Sequence, residues 1–227
     1  MNLTIRGRAW IDGALKDRSV KIEDGRIAAI DDGITGDSAD ALVLGPREIL
    51  LPSATDLQCA MRDWAEAERE TVETCTKAAL AGGVTTVGDQ ANTVPRIHKL
   101  ELVEKRARDV AATAWCDFGI TGHPPSDTAE LDRYRGAGAF SVQFFPWDLR
   151  PWRYPRDTDD SQVFFKRCAD LGLKGMIVVD ELGFQGTSLE EEGETYALQA
   201  LLRRLDPSFH VRVSVTRPSS VETLLEH

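Results

Sequence analysis

The chain has 227 residues, 42% hydrophobic and 28% charged, the composition of an ordinary globular protein with one sizeable domain and at most a small appendage. Its net charge of −10 offers no basic face for nucleic acid or an anionic membrane. No run approaches the ~18 apolar residues of a membrane helix, and MNLTIRGRAW lacks the apolar centre of a signal peptide. The cytoplasm is therefore the expected location.

Residues 1–50 read as a small β module. LTIRG, AWIDG, SVKIEDG and RIAAI alternate polar and apolar residues between Gly or Asp-Gly turns, and Glu23-Asp24-Gly25 marks a hairpin. ALVLGPREILLP adds one or two more strands.

From residue 51 to 227 the period changes. The expected strands are 50–57, 84–89, 112–120, 139–145, 175–180 and 210–216, and the expected helices 66–81, 96–110, 126–136, 159–171, 189–205 and 218–227. Ala81-Gly82-Gly83 and Gly136-Ala137-Gly138 fit helix ends. Strands alternating with helices imply a parallel α/β sheet. A complete (β/α)8 TIM barrel takes ~250 residues. Six units are countable here, so the fold class is an apparently incomplete barrel behind the β module. An open doubly wound sheet is the alternative, but it wants a Gly-rich phosphate loop after its first strand, and none is present. An open arc leaves unpaired edges. Three escapes are open: a longer polypeptide, pairing with another copy, or closure of a reduced barrel.

The polar residues gather where strands end. Asp56-Leu57 followed by Arg62, then AALAGGVTTV (78–87), then Asp89-x-x-Asn92-Thr93-x-Pro95 resemble the dihydroorotase/hydantoinase branch of the amidohydrolase superfamily. That resemblance implies a metal-dependent hydrolase opening cyclic amides. Its site needs His-x-His on the first strand, a lysine on the fourth, histidines on the fifth and sixth, and an aspartate on the eighth. Two divalent metals held there generate a hydroxide at neutral pH. In this chain the His-x-His positions are Gln58 and Ala60, flanking Cys59. The lysine position is Gln143, the strand-five histidine aligns with Val179, and the strand-six histidine falls around Val213 to Val215. Glu181 stands where family members carry a nearby acid. The expectation is a pseudoenzyme with no resident metal and no assigned catalytic residue.

The resemblance also implies that Arg62 and Asn92 hold a substrate carboxylate, for which a guanidinium fork and an amide donor are suited. The structural alternative pairs Arg62 with Asp56 or Asp89 and lets Asn92 hold its turn. His123, in TGHPP after the third strand, is the one histidine in the loop layer. His98 reads as a surface residue, and His210 enters its strand at the wrong end.

Other chemistries stay open. A relocated zinc site would use Cys59, His123, Asp180 and Glu181; a nucleophilic site would pair Cys59 with His123. Otherwise the four cysteines (Cys59, Cys75, Cys116, Cys168), far apart in sequence, read as buried reduced thiols. The segment 144–160 interleaves Trp147, Trp152 and Tyr154 with Arg150, Arg153 and Arg156, and reads as a lid, a partner hot spot or a rigid loop. The acidic run 188–194 reads as a solvated helix start. The family further implies pyrimidine-pathway partners: a homo-oligomer or an aspartate carbamoyltransferase-like subunit, alongside a small carboxylate ligand.

Overall fold

The computed structural model describes residues 2–34, 41–125, 127–144, 158–179 and 193–227. Two compact units divide after Ala54.

The first unit is a four-stranded sheet in the order β3-β2-β1-β4, with β1 Leu3–Ile11, β2 Ala14–Glu23, β3 Arg26–Asp32 and β4 Ala41–Val43. β2 lies antiparallel to β1 and β3, and β4 runs parallel to β1. Asp12-Gly13 and Asp24-Gly25 all take positive φ, the geometry that lets a two-residue turn follow the strand twist. LTIRG and AWIDG are not two strands. Gly7 lies inside β1, where a Cβ would sit 2.6 Å from Leu44 Cβ, so this glycine admits a neighbour rather than marking a turn.

The second unit is a six-stranded sheet in the order β10-β9-β8-β7-β6-β5. Its strands are β5 Ala54–Cys59, β6 Val84–Asp89, β7 Asp117–Gly122, β8 Ala139–Phe144, β9 Lys174–Val178 and β10 Val211–Ser214. The pairs from β6 to β10 are parallel. Each strand adds beside its predecessor and the order never reverses, which excludes the doubly wound alternative. The sheet is a curled, partial (β/α) barrel. Among the described residues it is open, with β5 and β10 as its two edges.

Among the described residues six α-helices alternate with the strands: α1 Val72–Ala81, α2 Leu100–Thr113, α3 Leu131–Tyr134, α4 Thr158–Asp170, α5 Gly193–Leu202 and α6 Pro218–Glu226. α1 starts six residues later than its expected 66. The Thr71 side chain caps the Thr74 amide while Thr74 Oγ1 accepts from the Thr71 amide, a reciprocal box that fixes the start. Its end falls at Gly82, and Gly83 follows at φ 82°, where a Cβ would be strained. β7 starts later than expected because the Ala-rich end of α2 continues through Thr113. Along α2 the buried positions are Leu100, Val103, Arg106 and Val110, a stripe at helical spacing with a cation in it.

The helix face of the sheet is apolar: Phe144 meets Phe165 of α4 at 5.3 Å between ring centroids, and Phe165 stacks on Phe209 at 5.8 Å. The opposite face carries polar groups. Thr121 and Ser141 share a hydrogen bond of 2.6 Å, and Thr121 Oγ1 lies 3.6 Å from Met176 Sδ. Between Ile120 and Thr121 the register slips, leaving Phe140 as a bulge residue. Its ring fills the space over Gly88 and Gly119, whose added Cβ atoms would meet it at 2.8 and 2.5 Å. Among the described residues, no helix is long and apolar enough to cross a membrane.

Candidate functional site at the strand ends

The C-terminal ends of β5, β6, β7 and β8 are tied together by polar contacts. The Gln90 amide donates to the Cys59 carbonyl at 2.9 Å, joining the ends of β5 and β6. Asp89, the last residue of β6, is fully buried. Its Oδ1 accepts from the Met61 amide at 3.2 Å and its Oδ2 from Arg106 Nε at 2.6 Å. Burial pushes the Asp89 carboxyl above its ordinary range, while the Arg106 guanidinium and the Met61 amide pull against that rise. Arg106 was missed in the sequence, although a cation inside an apolar helical stripe is a signal for a buried anion opposite it.

Arg62 therefore does not pair with Asp89, which Arg106 has already engaged, and it does not pair with Asp56, which accepts from the Gln58 amide at 2.8 Å. Arg62 Nη1 lies 3.3 Å from Glu66 Oε2, and Glu66 also holds Arg69 at 2.7 Å. Arg62, Asp63 and Trp64 run consecutively at positive φ (49°, 68° and 50°), a strained stretch for non-glycine residues. It is held by Trp64, whose Nε1 donates to Asp109 Oδ2 at 2.7 Å and whose ring lies under Lys105 and Arg106. The Ala65 amide reaches the Val94 carbonyl at 3.5 Å, so the loop bearing Arg62 meets the loop bearing Asn92. Asn92 is half-buried beside Thr93, whose hydroxyl donates to the Pro95 carbonyl at 2.8 Å.

His123 sits just past β7 and is buried. Its Nδ1 lies 3.0 Å from the Gln143 carbonyl oxygen, which only accepts, so Nδ1 donates in this contact. Its amide donates to the Ile97 carbonyl, and its carbonyl accepts from Tyr134 Oη at 3.1 Å. The Gln143 side chain is also buried, and its Oε1 accepts from the Ala91 amide at 3.4 Å. His98 and His210 are exposed.

Cys59 Sγ lies 3.1 Å from Cys75 Sγ, and His123 Nδ1 meets Gln143, so the nucleophile–base pair of the sequence reading is not assembled by these contacts. Asp180 and Glu181 lie outside the described residues, as do Trp147, Trp152, Tyr154 and their interleaved arginines. Two clefts of about 480 and 470 Å³ lie elsewhere, one lined by Lys166, Arg167 and Arg204, the other by Trp10, Ile27 and Ile30. Neither is lined by a residue from the C-terminal ends of β5 to β8.

A model of the dihydro-orotase-like family matches residues 47–143. The dihydroorotase of Thermococcus kodakarensis is 34% identical over 134 residues, 59% of this chain and 32% of that protein. The dihydroorotase of Pyrobaculum aerophilum is 28% identical over 76% of this chain and 39% of its own length. The L-hydantoinase of Arthrobacter aurescens superposes with a TM-score of 0.80 at 17% identity, over 99% of this chain and 55% of that one. Over residues 47–143 this chain is dihydro-orotase-like, and its fold is that of the hydantoinases. It spans about a third of the matched dihydroorotases and about half of the hydantoinase.

At the positions that the sequence resemblance assigns to metal ligands, this chain carries other side chains. Ala60 and Val179 offer no ligand atom, and Val179 is buried in the apolar core. Gln143 has no amine to carbamylate, and its amide oxygen is engaged by a backbone amide. Gln58 contributes only a neutral amide, a poor ligand for a divalent metal. Among the described residues, no three His, Cys, Asp or Glu side chains gather as a metal-binding group.

Proposed function

We propose that this chain is a dihydroorotase-like pseudoenzyme, a scaffold or interaction subunit rather than a hydrolase. Gln143 carries the reading. At the position where the family's chemistry wants a lysine, a buried glutamine hydrogen-bonds a neighbouring strand end. The partners that go with it are a second copy of the chain or an aspartate carbamoyltransferase-like subunit, and the location is the cytoplasm. The test is metal analysis of the purified chain together with a dihydroorotate hydrolysis assay. The expected result is no stoichiometric metal and no turnover. Stoichiometric zinc, lost on Cys59→Ala together with hydrolysis, overturns the reading in favour of a non-standard metal hydrolase.

A second reading is a binding module for a small carboxylate, built on Arg62, Asn92 and His123. The contact between the Ala65 amide and the Val94 carbonyl favours it, because it brings the loops of Arg62 and Asn92 together. A ligand carboxylate would take the place of Glu66 beside the Arg62 guanidinium. Dihydroorotate or orotate is then expected to raise the melting temperature of the wild type and not of Arg62→Ala; no shift with either compound removes this reading.

A further inference from the structure

Cys59 ends β5, and Cys75 lies in the first turns of α1. They are 16 residues apart in sequence, yet their sulfurs lie 3.1 Å apart with both thiols reduced. Cys59 is half-buried and Cys75 is buried. The other two cysteines are arranged differently. Cys168 is sealed in the core, where burial pushes its thiol up to about 12. Cys116 is half-buried, and burial and the nearby Asp117 raise its thiol. Within the close pair, the hydrogen bond from Cys59 holds the Cys75 thiol below its ordinary value, and the Cys59 thiol is raised in return. A thiol attacks as its thiolate, and the 3.1 Å approach places the second sulfur within reach of the first.

We propose that Cys59 and Cys75 form a redox-responsive dithiol site that a peroxide-class oxidant closes to an intramolecular disulfide. One sulfur attacks the O–O bond of hydrogen peroxide and becomes a sulfenic acid, and the other peroxide oxygen leaves as water. The second sulfur then attacks the sulfenic sulfur. An S–S bond forms, and the displaced hydroxide departs as a second water with the remaining thiol proton. Two thiols lose two electrons, and one peroxide is reduced to two waters. The bond closes a loop over the intervening residues, and that loop carries Arg62 and the strained Arg62–Trp64 stretch. Oxidation thus ties the end of β5 to α1 and restricts the segment that presents Arg62.

The full chain is treated with hydrogen peroxide and digested with trypsin under denaturing, non-reducing conditions. The expected product is peptide 48–62 joined to peptide 70–77, with a loss of two hydrogens in the intact mass and a fall in titratable thiols from the four in the sequence to two. Dithiothreitol reverses all three. In the native oxidised protein, tryptic cleavage after Arg62 and Arg69 slows several-fold, and the melting temperature rises by roughly 5–10 °C. Cys59→Ser and Cys75→Ser each abolish the two-hydrogen loss; if either fails to fold, the wild-type peptide map decides alone. Four surviving thiols, a 48–62 peptide found only as sulfinic or sulfonic acid, or a cross-link to Cys116 overturns the proposal.

Discussion

Two carboxylates are buried at opposite ends of the sheet and are stabilised by different means. Asp89, where β6 ends, is neutralised by a guanidinium. Glu194, in the first turn of α5, is held by hydrogen-bond donors. It accepts from the amides of Thr216 and Arg217 at 2.9 Å and from the Thr216 hydroxyl at 2.6 Å, where β10 turns into α6. Burial raises both groups. At Asp89 the rise prevails, whereas at Glu194 the hydrogen bonds outweigh it and hold the carboxyl below its ordinary 4.5. A single ion pair thus joins the strand-end loop, β6 and α2, while a fan of donors at a helix start joins α5, β10 and α6. The first arrangement fails when one partner is removed; the second fails when a proton is added.

The largest expected effect is at the ion pair. Arg106→Met leaves Asp89 buried and uncompensated and costs about 3–5 kcal/mol in urea unfolding, whereas Arg106→Met with Asp89→Leu recovers most of that loss. Glu194→Ala removes the acceptor of two amides and a hydroxyl and costs about 1–3 kcal/mol by the same measurement. Because the folded Glu194 lies below its ordinary value, its contribution is fully present above pH 4.5 and is lost as pH falls through the folded value. Glu194→Gln is therefore expected to flatten the acid limb of a stability–pH profile, and an unchanged limb would refute this assignment. Gly119→Ala drives a methyl into Phe140 and costs about 1–3 kcal/mol, part of which Phe140→Ala relieves. The smallest effect is at Arg62→Ala. Its partly exposed pair with Glu66 is screened, so unfolding shifts by under about 1 kcal/mol.

The alternation of strands and helices was legible because each element carries its own period and its own stop, as Val84–Asp89 does after Gly82-Gly83. The family outline was legible for the same reason: DLxxxxR, AALAGGVTTV and DxxNTxP are local strings. What was hidden depends on residues brought together by the fold. Cys59 and Cys75 touch only because α1 returns against the end of β5. Arg62 could not be matched to Glu66 while Asp89 looked available, and Asp89 was taken by Arg106, 17 residues further along the chain. The single-residue bulge at Phe140 leaves no mark in a regular apolar strand.

The strand order has a kinetic meaning as well. Every strand from β6 to β10 docks beside the one just before it in the chain, so no pairing waits for a distant segment. Loop closures stay short at each step, and the sheet can grow outward from β5 in the direction of synthesis. On a ribosome, each emerging β/α unit would find its template already present.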